Sequence, residues 1–209
     1  MKAFYTFAWW VTRVLFAILY DIRIEGRENI PAKGGALVVS NHRFLKDPVV
    51  LAHAFPPRRQ LHFMSKAEWF DNKAFGLLLS ALGVFPVNRG QGDMTAINRA
   101  EELVSGGHLV GIFPEGTRNR TGGPMKPKSG AAFIARQAHA DILPCALLFG
   151  ERRGFRSRIT VKIGRLIPYE ELGFQSEERV SLRRASKLIM NRINALLGWE
   201  EDGNEAAGG

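Results

Sequence analysis

Apolar and polar positions along the chain change between a period of two and a period near 3.6, which indicates alternating strands and helices. Strands are predicted at residues 23–25, 36–40, 61–65, 83–87, 108–113, 142–149 and 158–163. Helices are predicted at residues 47–55, 73–82, 93–105, 129–138 and 177–197. This alternation predicts an α/β fold, a single mixed-sheet domain flanked by helices.

End signals support three of these helices. Asp93 and Ser129 are predicted N-caps, and Gly106 with Gly107 is a predicted stop for the helix that Asp93 begins. The last helix is predicted to end at Gly198. Its predicted buried stripe comprises Val180, Ala185, Leu188, Ile189, Ile193 and Leu196.

Residues 3–20 form an aromatic-rich apolar run, AFYTFAWWVTRVLFAILY. As a helix it would be roughly 27 Å long, which is marginal for crossing a bilayer. Lys2, Thr6, Arg13 and Tyr20 fall on one helical stripe, and the rest of the surface is apolar. We expect a membrane-interface helix with its cations toward the lipid headgroups; a helix packed on the domain core is the alternative. The charged interruption and the missing small-residue cleavage site argue against a signal peptide.

Charge is unevenly distributed. The chain has 29 Lys+Arg and 20 Asp+Glu, and four of those acids lie in residues 200–209, where there is no base. We expect a disordered acidic tail there and one domain over residues 21–199, behind a membrane-associating helix at 1–20. The basic excess predicts a polyanionic partner: nucleic acid, an anionic membrane surface or a phosphorylated substrate. The 45% hydrophobic content excludes a disordered chain, and the single cysteine excludes a disulfide framework or a Cys-rich zinc fold.

The string NHRFLKDP follows the predicted strand 36–40. Residues five apart in a helix point about 140° apart, so His42 can meet Asp47 only if the chain turns between them. A carboxylate on one imidazole nitrogen would fix the tautomer and make the other nitrogen a better general base. From spacing alone the simpler interpretation is favoured, in which Asp47 caps the next helix, Pro48 occupies its first position and His42 only fills a loop.

The string GVFPVNR contains the predicted strand 83–87 and ends just after it, and the string ILPCAL lies within the predicted strand 142–149. Arg89 at the end of the first can hold a phosphate through its planar fork, although most such arginines are simply solvated. The second string is apolar. We interpret Cys145 as a small hydrophobic residue rather than a nucleophile, because its neighbours are apolar and no histidine adjoins it.

The string IFPEGTRNR combines an acid, a glycine and cations directly after a strand. Glu115, Gly116 and Arg118 lie within four residues, and two lysines follow before the helix that Ser129 begins. Such a basic segment at a helix N-terminus favours an anion. The alternative is a flexible basic loop.

In this order, NHRFLKD, GVFPVNR, IFPEGTR and, more loosely, ILPCAL resemble the motif blocks of the glycerolipid acyltransferase family, over roughly residues 35–150. The resemblance implies acyl transfer from an acyl thioester to the free hydroxyl of 1-acylglycerol-3-phosphate, which makes phosphatidic acid in phospholipid biosynthesis. His42 would be the general base and Asp47 its orienting partner. No cofactor or metal is implied; acyl-CoA or acyl carrier protein is the co-substrate.

The remaining site residues follow the same resemblance. Arg89 and Arg118 match the arginines that hold the acceptor phosphate, and Glu115, Gly116 and Thr117 match positions that shape the glycerol site. To these we add three candidate substrate contacts: Asn41, which would support the turn at His42, and Lys126 and Lys128, chosen from local charge.

Several alternatives stay open. Glycerol-3-phosphate or a non-phosphate lysolipid is an alternative acceptor. A basic module that binds nucleic acid or membrane without catalysis is the alternative from another class, although no nucleic-acid-binding motif supports it. We therefore expect a membrane-associated enzyme at the cytoplasmic face, with an anionic membrane surface, a lysophospholipid and an acyl donor as partners and no nucleic acid.

Overall fold

The computed structural model describes residues 2–88, 93–119, 123, 126–154, 156–174 and 178–199. Its strands are β1 Tyr20–Glu25, β2 Ala36–Ser40, β3 Leu61–Lys66, β4 Val84–Val87, β5 Leu109–Ile112, β6 Ile142–Arg153 and β7 Arg156–Ile163. Its α-helices are α1 Lys2–Leu19, α2 Asp47–Ala54, α3 Lys73–Ala81, α4 Met94–Ser105, α5 Gly130–Gln137 and α6 Glu178–Leu197. Every predicted strand and helix is present, with ends shifted by a few residues.

All seven strands belong to one mixed sheet in the order β1-β7-β6-β2-β5-β3-β4. Every neighbouring pair is parallel except β6 and β7, which are antiparallel. The predicted mixed sheet is therefore confirmed. Because β2, β3, β4 and β5 run the same way, their carboxyl ends meet at one edge, where α/β sheets bind ligands.

Helices cover both faces of the sheet. One core lies between the sheet and α4, α5 and α6, and the other lies between the sheet and α2, with residues of α1 at its margin. In α6, Ala185, Ile189 and Ile193 are buried as predicted, but Val180 is 60% exposed. Ser181 takes that place, because it lies four residues before Ala185 and thus on the same face of the helix.

The predicted helix ends are mostly present. The Asp93 side chain accepts a hydrogen bond from the Ala96 N–H at 3.2 Å, and α4 ends at Gly106. The prediction for Ser129 was wrong in one respect. Ser129 precedes α5 but its side chain makes no capping bond, since its backbone is already helical rather than extended.

Helix α1 lies against α2 through part of its polar face. Thr6, Arg13 and Tyr20 of the polar stripe are half-buried toward the domain, and Thr12 Oγ1 lies 3.0 Å from His53 Nε2 of α2. The predicted outward orientation of the cationic stripe was therefore wrong for Arg13. The exposed face is apolar and consists of Phe4, Phe7, Trp10, Val11, Val14, Leu15, Ile18 and Leu19. No helix in the described part of the chain is long and apolar enough to cross a membrane.

Candidate active site

His42 and Asp47 meet at the carboxyl end of β2. The chain turns between them, so that His42 Nδ1 donates to Asp47 Oδ2 at 2.9 Å. Asp47 is fully buried and the His42 side chain is 13% exposed. An ionised carboxylate can only accept, which places the ring proton on Nδ1. His42 Nε2 has no partner among the described residues and can act as a base.

The Asp47 carboxylate holds the turn that carries His42. Its Oδ2 also accepts the backbone N–H groups of Arg43 at 2.5 Å and Phe44 at 2.7 Å. The predicted capping role was wrong: α2 begins at Asp47 itself, after Lys46, and the carboxylate bonds residues before the helix rather than the N–H groups within it. Asp47 therefore fixes the loop and the imidazole with one oxygen.

Two further residues, which the sequence did not identify as site residues, contact His42. The Phe113 ring stacks on the imidazole, with centroids 4.1 Å apart. The Asn119 N–H donates to the His42 carbonyl at 2.6 Å. Both lie within or beside the IFPEGTR string, so the third string contacts the first directly. Their position within or next to that string was the one signal in the sequence that could have identified them as site residues.

Glu115 is a buried acid beside the pair. It is 2% exposed, and its Oε2 accepts the backbone N–H of His42 at 3.2 Å. Burial raises the pKa of Glu115 to about 7, and the negative charge of Asp47 adds to the rise. The His42 N–H and the Asn119 amide oppose it. Glu115 therefore titrates near neutral pH and holds the loop that carries His42.

Gly116 and Lys128 form a close pair at the mouth of the site. Gly116 has a φ of +69°, and a Cβ there would lie 2.7 Å from Lys128 Cδ. Only glycine accommodates both the left-handed backbone and this approach. Thr117, Arg118 and Lys126 are exposed.

A cavity of about 250 Å³, here called the site cavity, opens at this edge of the sheet. Its polar lining includes His42, Asn88, Asp93 and Lys128. Its apolar lining includes Met64, Val87, Ala96, Ile97, Ile112 and Ile134. Neither Arg118 nor Lys126 is among the described residues that line it. The site cavity that His42 lines is thus mainly apolar, with one cation, Lys128, among its described lining residues.

Asn41 and Cys145 are both buried, one directly after β2 and the other within β6. Asn41 Nδ2 donates to the Leu147 carbonyl at 3.0 Å, and its Oδ1 accepts the Leu147 N–H at 2.7 Å. Because both ends of the buried amide bind β6, Asn41 ties β2 to its neighbour, and one Nδ2 hydrogen is left for the predicted substrate contact. Cys145 is fully buried, and burial raises the pKa of its thiol well above the usual range.

The predicted residue Arg89 lies outside the described residues. Asn88, directly before it, lines the site cavity, and the Asn88 N–H donates to Asp93 Oδ2 at 2.8 Å. Among the described residues, no group of three His, Cys, Asp or Glu side chains is placed to hold a metal ion.

Comparison with known proteins identifies the family. The model of the Acyltransferase family matches residues 21–148, and the chain belongs to that family. The chain is 33% identical over 134 residues to a 1-acyl-sn-glycerol-3-phosphate acyltransferase of Bacillus subtilis, covering 64% of this chain and 66% of the relative. It is 32% identical over 134 residues to the human 1-acyl-sn-glycerol-3-phosphate acyltransferase beta, covering 62% and 48%.

A solved structure shares the fold. The 1-acyl-sn-glycerophosphate acyltransferase PlsC of Thermotoga maritima superposes with a TM-score of 0.64 at 22% identity, covering 87% of this chain and 75% of that one. The chain spans less than two thirds of the length of the curated relatives described above.

Proposed function

We propose that this protein transfers a fatty acyl group from an acyl thioester to the free hydroxyl of 1-acylglycerol-3-phosphate, which makes phosphatidic acid. The observation that carries the proposal is the 2.9 Å bond from His42 Nδ1 to the buried Asp47, which leaves Nε2 without a partner among the described residues, in a side chain that lines the site cavity. Membership of the Acyltransferase family and the names of its relatives support the acyl chemistry and this acceptor.

The proposed reaction needs one base and no covalent enzyme intermediate. His42 Nε2 takes the proton from the acceptor hydroxyl as its oxygen attacks the thioester carbonyl. The tetrahedral intermediate then collapses, the C–S bond breaks, and the imidazolium returns the proton to the departing thiolate. Asp47 stabilises the imidazolium by charge and keeps the ring in one tautomer. The products are the ester and the free thiol.

The substrate groups are assigned by chemistry. The acyl chain would occupy the apolar part of the site cavity, next to Ile97 and Ile134. Lys128 at the rim, with Arg118 and Arg89, would hold the acceptor phosphate. Glu115, Gly116 and Thr117 would shape the place of the glycerol; a neutral Glu115 avoids repelling that phosphate. Lys126 is exposed, and we assign it only an attraction at longer range.

We also propose that α1 docks the enzyme on the membrane surface at the cytoplasmic face. Its eight exposed apolar residues form a continuous helical face, with exposures from 43% to 65%. A soluble monomer rarely leaves so large an apolar face in water. In this arrangement residues 1–20 associate with the membrane and 21–199 form the catalytic domain. The predicted acidic tail, 200–209, lies outside the described residues.

The test is a product assay with the purified protein. Acyl-CoA and acyl carrier protein are supplied in turn as donors, with lysophosphatidic acid, glycerol-3-phosphate and lysophosphatidylcholine as acceptors, and products are identified by mass. We expect phosphatidic acid from the first acceptor. We expect His42→Ala to lower turnover by roughly a thousandfold, since general base catalysis contributes that order. Thiol release that is unchanged in His42→Ala would contradict the proposal.

A further inference from the structure

A second cavity, here called the arginine cavity, lies between α1, α2 and the segments that follow β1 and α2. It has a volume of about 450 Å³. Its lining includes Trp9, Trp10, Arg27, His53, Arg58 and Arg59. It shares no lining residue with the site cavity. His53 lies six residues after Asp47, about 9 Å further along the axis of α2.

The arginine cavity is strongly cationic. None of the described residues that line it is acidic. Neither Arg27 nor Arg58 makes a side-chain hydrogen bond or ion pair within the described part of the chain, and both are exposed. Arg13 lies behind the wall, 5.9 Å from the Trp9 ring centroid, where burial lowers its pKa and the nearby charge of Arg27 lowers it further. An anion would relieve this repulsion.

Buried polar atoms around the arginine cavity also lack partners. His53 is 2% exposed, and its Nδ1 has no hydrogen-bond partner among the described residues. The same holds for Arg59 Nε and Arg13 Nη1. Buried polar groups are nearly always satisfied in folded proteins, and a bound ligand is one way to satisfy them. Because Thr12 Oγ1 donates to the Ala8 carbonyl at 2.7 Å, neutral His53 donates through Nε2, and its Nδ1 can donate to an anion only after the charge of the anion favours the imidazolium. The two arginine N–H groups are donors as they stand, so the three atoms together favour an anionic ligand here.

The surroundings indicate where the anion comes from. Trp10 lines the arginine cavity and also belongs to the exposed apolar face of α1. Tryptophan favours the boundary between headgroups and acyl chains. We propose that the arginine cavity binds the phosphate headgroup of an anionic phospholipid whose acyl chains lie along the apolar face of α1. This inference rests on the membrane docking proposed above and assigns a lipid site separate from the reaction.

The test compares binding of the full chain to phosphatidylcholine vesicles with binding to vesicles that also contain phosphatidylglycerol, at one ionic strength and without acyl donor. We expect the wild type to prefer the anionic vesicles. The double variant Arg27→Ala/Arg58→Ala should lose about thirtyfold in affinity for them, because each arginine near anionic lipid contributes about fivefold. Its affinity for phosphatidylcholine alone should not change.

Three further variants distinguish binding in the arginine cavity from diffuse charge attraction and from apolar docking through α1. The matched pair Arg183→Ala/Arg184→Ala removes the same charge from exposed positions on α6, on the other face of the sheet, and should keep the preference. His53→Phe keeps an aromatic ring and the net charge of the neutral form but removes both ring nitrogens, Nδ1 and the Nε2 that bonds Thr12, and should lower the preference about tenfold. Val14→Ser/Ile18→Ser should weaken binding to both vesicles alike, which reports on docking alone.

Several results would overturn the inference. Equal losses in the two arginine pairs would indicate diffuse attraction rather than a site. An unchanged preference in His53→Phe would mean that the buried imidazole does not contact the ligand, against the inference. Loss of the preference when inorganic phosphate replaces chloride at equal ionic strength would indicate a site for free phosphate. Binding to neither vesicle would contradict the docking as well. Acyl transfer to soluble short-chain substrates is measured separately, so failure of the lipid site is distinct from failure of the enzyme.

Discussion

The two ends of helix α2 differ in how their polar groups are satisfied. At the start, one oxygen of Asp47 accepts three N–H groups, from His42, Arg43 and Phe44. At the other end, His53 packs between the rings of Trp9 and Phe16, with Nδ1 unpartnered within the described residues. At the first end the bonds that orient His42 are formed in the free protein, whereas at the second end Nδ1 of the histidine itself is left without one.

This difference matches two kinds of task. A catalytic base has to be oriented before the substrate arrives, so its supporting bonds must exist in the free enzyme. A ligand site instead keeps donors that the ligand will satisfy. The start of α2 is not entirely satisfied, because Asp47 Oδ1 is buried without a partner among the described residues. That oxygen nevertheless belongs to a carboxylate whose other oxygen is fully bonded.

Buried titratable groups near the two ends of α2 should make stability depend on pH in opposite directions. Glu115, which contacts His42 near the start of α2, tests the first end. Its pKa rises from 4.5 to about 7 on folding, so the folded protein holds this proton more tightly than the unfolded chain. Stability should therefore fall by about 3 kcal/mol as pH rises from about 4.5 to about 7. In Glu115→Gln this loss should disappear, because the amide does not titrate, and its oxygen can still accept the His42 N–H. Denaturant unfolding across that range measures the difference, and parallel profiles for the two proteins would contradict it.

His53 tests the other end. Burial, aided by the charge of Arg13, lowers the pKa of His53 from 6.5 to about 4. The unfolded chain then holds the proton more tightly, so stability should fall by about 3 kcal/mol as pH drops from about 6.5 to about 4. His53→Phe removes the titrating group and should not show this loss. The same unfolding measurement serves here. Equal acid sensitivity in both proteins would show that His53 is not buried in neutral form.

Asp47→Asn tests whether the bonds at the start of α2 serve catalysis as well as folding. The amide oxygen can still accept the N–H groups of Arg43 and Phe44, so the fold should persist. A neutral side chain cannot stabilise the imidazolium, and kcat should fall by roughly a hundredfold. The KM of the acceptor should stay within about twofold. Steady-state kinetics with a soluble acceptor decide this, and an unchanged kcat would leave Asp47 with a structural role only.

Features that depend on residues close together in the sequence could be predicted, and features that depend on residues far apart in the sequence could not. The strands and most helix ends are set by local period and by residues such as Asp93 and Gly106, so they could be predicted. The meeting of His42 with Asp47 required a turn that spacing allowed but did not demand. The stacking of Phe113 on His42 needs β5 beside β2, which only the sheet order gives.

Neither the arginine cavity nor the orientation of α1 could be predicted from local sequence. Arg13, Arg27, Arg58 and His53 come from separate segments, and only the packing of α1 on α2 brings them together. The polar stripe of α1 was expected to face the lipid headgroups, because the cations of an interface helix reach toward them. In the structure, Thr12 bonds His53 and Trp9 Nε1 donates to the Ala52 carbonyl at 3.2 Å. The domain therefore offers polar partners, and the apolar face remains outside.

Arg118→Ala is expected to have the smallest effect and separates the two cationic regions. Arg118 is exposed near the site, so its removal should raise the KM of the acceptor about tenfold, the order of one charge-assisted bond, with kcat little changed. Its preference for anionic vesicles should equal that of the wild type. Arg27→Ala/Arg58→Ala should do the reverse, with a normal KM for a soluble acceptor and a lost vesicle preference. If Arg118→Ala lost the vesicle preference and kept its KM, phosphate recognition would have been assigned to the wrong end of α2.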